Sequence, residues 1–265
     1  MWGIGCMVWR IGETLDVYAQ MEWIREAGFK CVSFHASSGD GQTWRGIDPK
    51  SADRAQRRRL RQLLRAFSAC EVHAPFDCAL TPDAPEPRVQ ELCSVLEFAG
   101  DVSASVVTVH ADVPQSLAGG EARWQAMLDR LDAAAGAAGV VIGFEVTDGF
   151  EHFTDPARRH TGITLDVGHM DLEADGGSRR WGSIGAAVHH LGPGLVHLHV
   201  HDVCDGRDHA EVGTGRVDFD DLLCSLRDAR YQGALCLELD PDRVSPHGIR
   251  RSADFLRARG KQLGL

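Results

Sequence analysis

The stretch Leu195-Val196-His197-Leu198-His199-Val200-His201-Asp202 alternates apolar residues with imidazoles. A period of two puts His197, His199 and His201 on one side of an extended strand. Imidazoles and carboxylates set among apolar residues are costly to bury without partners, so the stretch predicts a strand that delivers polar groups to a shared place. His199 stands where the strand should end. His197 lies deeper and fits a satisfied core histidine, while His201 fits a pocket wall.

The same pattern recurs along the chain. Short apolar runs end in Glu71-Val72-His73-Ala74-Pro75-Phe76, Val109-His110-Ala111-Asp112, Phe144-Glu145-Val146, Leu165-Asp166-Val167-Gly168-His169 and Leu237-Glu238-Leu239. Eight strand candidates emerge: Gly3–Val8, Phe29–Phe34, Cys70–Phe76, Ser105–Val109, Val140–Val146, Gly162–Leu165, Leu195–Val200 and Ala234–Leu239. Between them lie helical patterns, among them Leu15–Ala27, Arg54–Ser68, Glu86–Ala99, Gly120–Ala138, Asp218–Arg230 and Ser245–Arg259. Thr14 and Asp218 serve as N-caps, and Gly28 and Gly139 follow helical patterns. Glu151–Arg159 is the weakest helix. Ala36–Pro49 and Asp202–Arg216 are long loops that follow strands.

Strands alternating with helices predict parallel βαβ units. The chain has 265 residues, and a closed (β/α)₈ barrel takes about 250. The rival, an open doubly wound sheet, needs a Gly-rich phosphate loop after its first strand and gathers its site at one crevice. Here polar residues end six consecutive strands instead, as a closed barrel requires. The expected fold is therefore an α/β (β/α)₈ TIM barrel, one domain over residues 1–265.

The formal charge is −10, from 28 Lys plus Arg against 38 Asp plus Glu, and Lys30, Lys50 and Lys261 are the lysines. Such an acidic, lysine-poor chain is a poor counterion-release surface, which argues against a nucleic-acid partner. Eight cysteines lie scattered without a C-x-x-C pair, which predicts free thiols and a cytoplasmic setting. The opening MWGIGCMVWR lacks a signal-peptide pattern, and no apolar run is long enough to span a bilayer. The sequence permits a homo-oligomer. The run Arg54–Arg65 is the solvated face of a helix.

Glu145 and Glu238 are lone carboxylates inside apolar strands, and glutamate is seldom buried unpaired. The competing account is an ion pair with Arg or His. Together with Asp166 and His199, they predict a divalent-metal site, and carboxylates plus imidazole suit Mn²⁺, Mg²⁺, Co²⁺ or Zn²⁺. His73 and His110 either join a site or hydrogen-bond a neighbour. Cys204 has no evident base partner, so it is not a nucleophile candidate.

The chain resembles the xylose isomerase-like superfamily of barrels, which includes sugar isomerases and epimerases and the endonuclease IV-type AP endonucleases. The resemblance is carried by Gly162–His169, by His197–Asp202, by Gly213-Thr214-Gly215-Arg216-Val217-Asp218-Phe219, and by Tyr231-Gln232-Gly233 with the strand after it. It implies a single metal on Glu145, Asp166, His199 and Glu238. It also implies that Glu145 and Glu238 exchange protons with a small sugar, and that His169 contacts it. We expect His73, His110 and His201 to bind substrate as well. The implied reaction is isomerisation or epimerisation of a carbohydrate through a metal-stabilised enediolate. The endonuclease branch implies a different outcome, a di- or trinuclear zinc phosphoesterase with further ligands at His73, His110, His169 and His209. Two departures stand against the full nuclease set: Arg207 occupies an aspartate position, with Asp208 one place late, and Val146 follows the fifth-strand glutamate.

Overall fold

The computed structural model describes residues 2–12, 16–39, 45–117, 119–175 and 181–265. Its strands are β1 (Ile4–Val8), β2 (Cys31–His35), β3 (Ala69–His73), β4 (Val106–His110), β5 (Val141–Glu145), β6 (Thr161–Asp166), β7 (Leu195–Val200), a hairpin of β8 (Asp202–Cys204) and β9 (Arg207–Ala210), and β10 (Leu235–Leu237). Eight of these close in the order β1-β10-β7-β6-β5-β4-β3-β2, each pair parallel. The chain is a single-domain TIM barrel. The helices are α1 (Val17–Glu26), α2 (Arg54–Leu64), α3 (Glu86–Val102), α4 (Glu121–Ala138), α5 (Val167–Asp175), α6 (Ile184–Leu191), α7 (Phe219–Asp228) and α8 (Pro246–Gln262).

Alternation along the strands produces the two sides of the barrel wall. Val72, Val107, Phe144, Leu165, Leu198 and Leu237 are fully buried. They form the apolar layer under the helices, where Phe144 packs on Phe153 at 5.0 Å between ring centroids and Phe153 meets Trp124 at 5.6 Å. On α3, Val89, Leu92, Leu96, Ala99 and Val102 are buried at three- and four-residue spacing, the stripe an amphipathic helix needs. Asp53 and Gln56 form a capping box that starts α2, which satisfies two amide groups the first turn leaves without helical partners. The arginines of α2 lie outward, with Leu60 and Leu64 as its buried residues.

Several local expectations need correction. Thr14 lies outside the described residues, as does part of the loop after β2, and α1 is capped by Asp16, whose carboxylate accepts the Ala19 amide. Glu151–Arg159 forms no helix beyond a single 3₁₀ turn, Phe150–His152. β3 stops at His73, because Pro75 starts a 3₁₀ turn there. The expected loop Asp202–Arg216 contains the β8–β9 hairpin. None of the eight cysteines is paired, and no helix of the described residues is long and apolar enough to cross a membrane.

Asp202 explains the glycine motif after this hairpin. It is buried, and its two oxygens accept the amides of Val203, Gly213, Gly215 and Val217. A Cβ at Gly215 would lie 2.2 Å from the Val203 carbonyl and 2.4 Å from Asp202 Oδ1. Only glycine lets the backbone wrap that carboxylate. Asp218 then caps α7 by accepting the Asp220 and Asp221 amides.

Candidate metal centre

The inner side of the barrel is polar in two successive layers. The lower holds Glu71, Thr108, Thr164 and His197, all buried. Thr108 and Thr164 Oγ1 atoms meet at 3.0 Å, and Glu71 of β3 reaches across to β7. The upper layer, two residues further along each strand, holds His73, His110, Glu145, Asp166, His199 and Glu238. This is the C-terminal mouth, where barrel sites are built.

Glu145, Asp166 and His199 each offer a ligand atom within 4.8 Å of the others. Glu238 joins them through Oε2, 2.9 Å from His199 Nδ1, and Glu145 Oε2 is 3.5 Å from the same nitrogen. His73 Nε2 and His110 Nε2 lie 3.4 and 3.2 Å from Glu145 Oε2, so His73, His110 and Glu145 make a second compact group. Asp166, His169, His201 and His209 make a third. The second-metal set expected from sequence therefore splits. His73 and His110 sit on the Glu145 side, and His169 and His209 on the Asp166 side. No compact group among the described residues contains all four.

Whether the mouth suits a cation is decided by its unsatisfied atoms. Glu145 Oε2, His73 Nε2 and His199 Nδ1 are buried and lack a hydrogen-bond partner of proper geometry. Buried polar atoms are rarely left so, and two such nitrogens that converge on one such carboxylate oxygen fit a divalent ion. Protonation tells the same story. Burial alone would raise the Glu145 carboxyl, but His199, His110 and His169 hold it well below the usual range. Burial is likewise outweighed at Glu238, chiefly by His199. At His169 burial is overcome by Glu145 and Asp166, which push the imidazole up to about 10. Without an ion, protons on the imidazoles balance the carboxylates.

Hydrogen bonds decide which imidazole nitrogens carry lone pairs. His73 Nδ1 donates to the Ala74 carbonyl at 2.7 Å, which leaves Nε2 as a ligand atom. His199 Nε2 donates to Glu71 Oε1 at 2.8 Å, which leaves Nδ1. His201 is arranged the other way. Its Nδ1 lies 3.3 Å from the Asp202 carbonyl but 2.8 Å from the His209 amide, and an amide can only donate. Nδ1 is therefore an acceptor, and Nε2 carries the hydrogen, which it donates to Asp166 Oδ2 at 3.1 Å. The Asp166 charge favours a second proton on this ring, yet the amide hydrogen fills the position it would take. His201 orients Asp166 and is not itself free to ligate. Gly168 makes room for it, since a Cβ there would lie 2.0 Å from the ring.

A cavity of about 730 Å³ opens over this layer, lined by His110, Asp112, Glu145, Asp148, Asp166 and His169 among others. His110 and His169 can thus meet a substrate. His73 and His201, 1 % and 0 % exposed, are not among the residues that line it. His209 is held with φ of 50° on β9, its ring stacked on His201 at 4.2 Å. Asp208 lies 3.3 Å from both His169 and His209. Two neighbours went unassigned from sequence. Glu71 shows the same signal as Glu145, a carboxylate inside an apolar strand. His35, which burial and the facing His73 push down to about 3, sits one strand further round.

The class of protein is thus a closed parallel barrel whose mouth gathers carboxylates and imidazoles. The profile of the xylose isomerase-like TIM barrel family matches residues 21–259, and the chain belongs to that family. An uncharacterised protein of Methanocaldococcus jannaschii, MJ1311, is 26% identical over 197 residues, which is 63% of this chain and 63% of the relative's length. Among solved structures, a D-tagatose 3-epimerase-like protein superposes with a TM-score of 0.74 at 19% identity, covering 99% of this chain and 98% of its own. The 3-keto-D-glucoside 4-epimerase YcjR of E. coli gives 0.71 at 20% identity, covering 97% and 100%. At such identities the likeness shows the shared fold.

Proposed function

We propose that the protein is a divalent-metal-dependent isomerase or epimerase of a small carbohydrate that works in the cytoplasm, a setting its eight free cysteines suit. The supporting observation is the pair Glu145 and Glu238, which reach His199 Nδ1 from β5 and from the end of β10 with β6 and β7 between them. Glu145, Asp166, His199 and Glu238 would hold the ion, which would polarise a carbonyl and hold negative charge that develops on its oxygen. The glutamates flank the site from separate strands. One takes the proton alpha to the carbonyl, and the other returns a proton, so the carbon centre changes configuration or the carbonyl moves. His110 and His169 lie on the cavity wall within reach of substrate hydroxyls. The cavity volume falls in the range of small-molecule sites, about 300–1,000 Å³. Sugar epimerases among the structural neighbours add support by analogy of fold.

The test is incubation with a panel of ketoses and aldoses in D₂O with Mn²⁺, Mg²⁺ or Co²⁺. Deuterium should enter beside the carbonyl. No exchange across the panel would overturn the reading.

A second reading is favoured by one observation. The groups around His73 and around His169 flank the first site on either side, as a multinuclear phosphoesterase would need. Metal-dependent cleavage of a phosphate ester or abasic duplex, with two or three zinc ions per chain, would select it. Because His201 presents a hydrogen to Asp166, the His73 side is the better second site.

A further inference from the structure

The floor beneath the candidate centre holds a carboxylate that neither reading uses. Glu71 is 2% exposed. Its Oε1 accepts from His199 Nε2 and its Oε2 from His197 Nε2, both at 2.8 Å. Both oxygens are thus engaged by rings from the opposite wall. Glu71, His197 and Cys236 also lie close enough together to suggest an ion site of their own. Those two bonds and full burial speak against it, since an ion there would have to displace both.

We propose that Glu71 is a positioning residue for the metal centre. It fixes the hydrogen of His199 on Nε2 and holds the ring so that Nδ1 is the ligand atom. This rests on the metal part of the proposed function and not on the choice of substrate. A neutral imidazole has one N–H and one lone pair. A carboxylate can only accept, so the nitrogen it faces must be the N–H. The lone pair then lies on Nδ1, the buried atom left without a partner between Glu145 and Glu238. His197 donates to the other oxygen and stops the carboxylate from rotating away. Carboxylates behind metal-bound imidazoles work this way in general, and losing one typically weakens metal binding about 10–100-fold. In Glu71→Gln one oxygen becomes an NH₂ donor, which must face a ring N–H or force a ring to give up that hydrogen.

The experiment measures Zn²⁺ affinity by chelator competition on the full chain, together with ¹⁵N histidine spectra of the Zn²⁺-loaded wild type. His199 should show a proton on Nε2 and a metal-bound Nδ1. The affinity of Glu71→Gln should fall about 10–100-fold, while the metal-free variant keeps its circular dichroism. In His197→Gln the His199–Glu71 bond survives, so the loss should be clearly smaller. Should Glu71→Gln fail to fold, the wild-type spectra decide alone, and a metal-bound Nε2 overturns the proposal. Affinity unchanged in a folded Glu71→Gln also overturns it, as does an equal loss in His197→Gln, which would point to general floor packing. If wild type takes up no divalent ion at all, the metal reading itself fails, and this inference with it.

Discussion

β7 supplies histidines to two regions that treat them in opposite ways. On the floor, one carboxylate serves two imidazoles: Glu71 accepts from His197 and His199 with both oxygens used. At the mouth, Glu145 has His73, His110 and His199 within 3.5 Å of one oxygen, and that oxygen still lacks a properly directed bond. The residue types are the same. The floor is a closed network, rigid because every one of those bonds is made. The mouth leaves Glu145 Oε2, His73 Nε2 and His199 Nδ1 without directed bonds, and a divalent ion is what we propose completes it. Completed and incomplete polar clusters can sit one layer apart in one barrel.

The contrast breaks most readily at the glutamates of the mouth. Glu145→Gln and Glu238→Gln each keep one ligating oxygen but lose the base. Deuterium exchange should drop by about 10²–10⁴-fold while the fold, followed by circular dichroism, persists. Equal exchange in both variants would strip these residues of any proton-transfer role. Next comes Asp202, a finished cluster in its own right. Asp202→Asn replaces one of the two oxygens that accept four amides by a donor, so two of those amides lose their acceptor. Hydrogen bonds to charged groups contribute about 1.5–3 kcal/mol each, so denaturant titration should show a loss of at least about 2 kcal/mol.

Smaller effects sharpen the division inside the mouth. His73→Ala with His110→Ala should remove any second ion and leave one per chain, read by elemental analysis. Retention of two would place the second ion on the His169 side. The mildest effect is on pH. In metal-free protein His169 is raised from 6.5 to about 10. Its contribution to stability is full below about pH 6.5 and fades as the pH climbs toward 10. The Glu145 carboxyl is depressed from 4.5, so its contribution is present above that value and is lost in acid. The melting temperature of metal-free protein should peak between those limits and decline on the alkaline side. His169→Ala should flatten that decline, and a melting temperature that rises from pH 7 to pH 9 would contradict the assignment.

Much of this arrangement was legible in the sequence, for physical reasons. Period-two alternation in Leu195–Val200 and the lone Glu145 in Val140–Val146 revealed strands and inward faces, because burial penalises misplaced polar groups. The barrel followed from strand–helix alternation. The helix Val167–Asp175 was not read, because it starts directly at the end of β6 without an intervening loop. Glu71 was visible in Ala69–His73 but received no role, since its partners lie 126 and 128 residues away and no local pattern records them. The lone-pair direction of each histidine was equally hidden. It depends on a carbonyl at Ala74, a carboxylate at Glu71 and an amide at His209, none of which composition or spacing can rank. The division of His73, His110, His169 and His209 into two groups needed the order of strands around the mouth.

Barrel closure gives these long separations a consequence during synthesis. A chain emerging from the ribosome has Glu145, Asp166 and His199 available well before Glu238, which follows the last strand, β10. The final wall forms only when β10 fits between β1 and β7. A divalent ion would meet its whole ligand set only in the completed circle, so its binding energy would be added to the finished fold and withheld from every truncated one. The centre would then act as a latch on the last step of folding, with an ion that tells a whole molecule from a partial one.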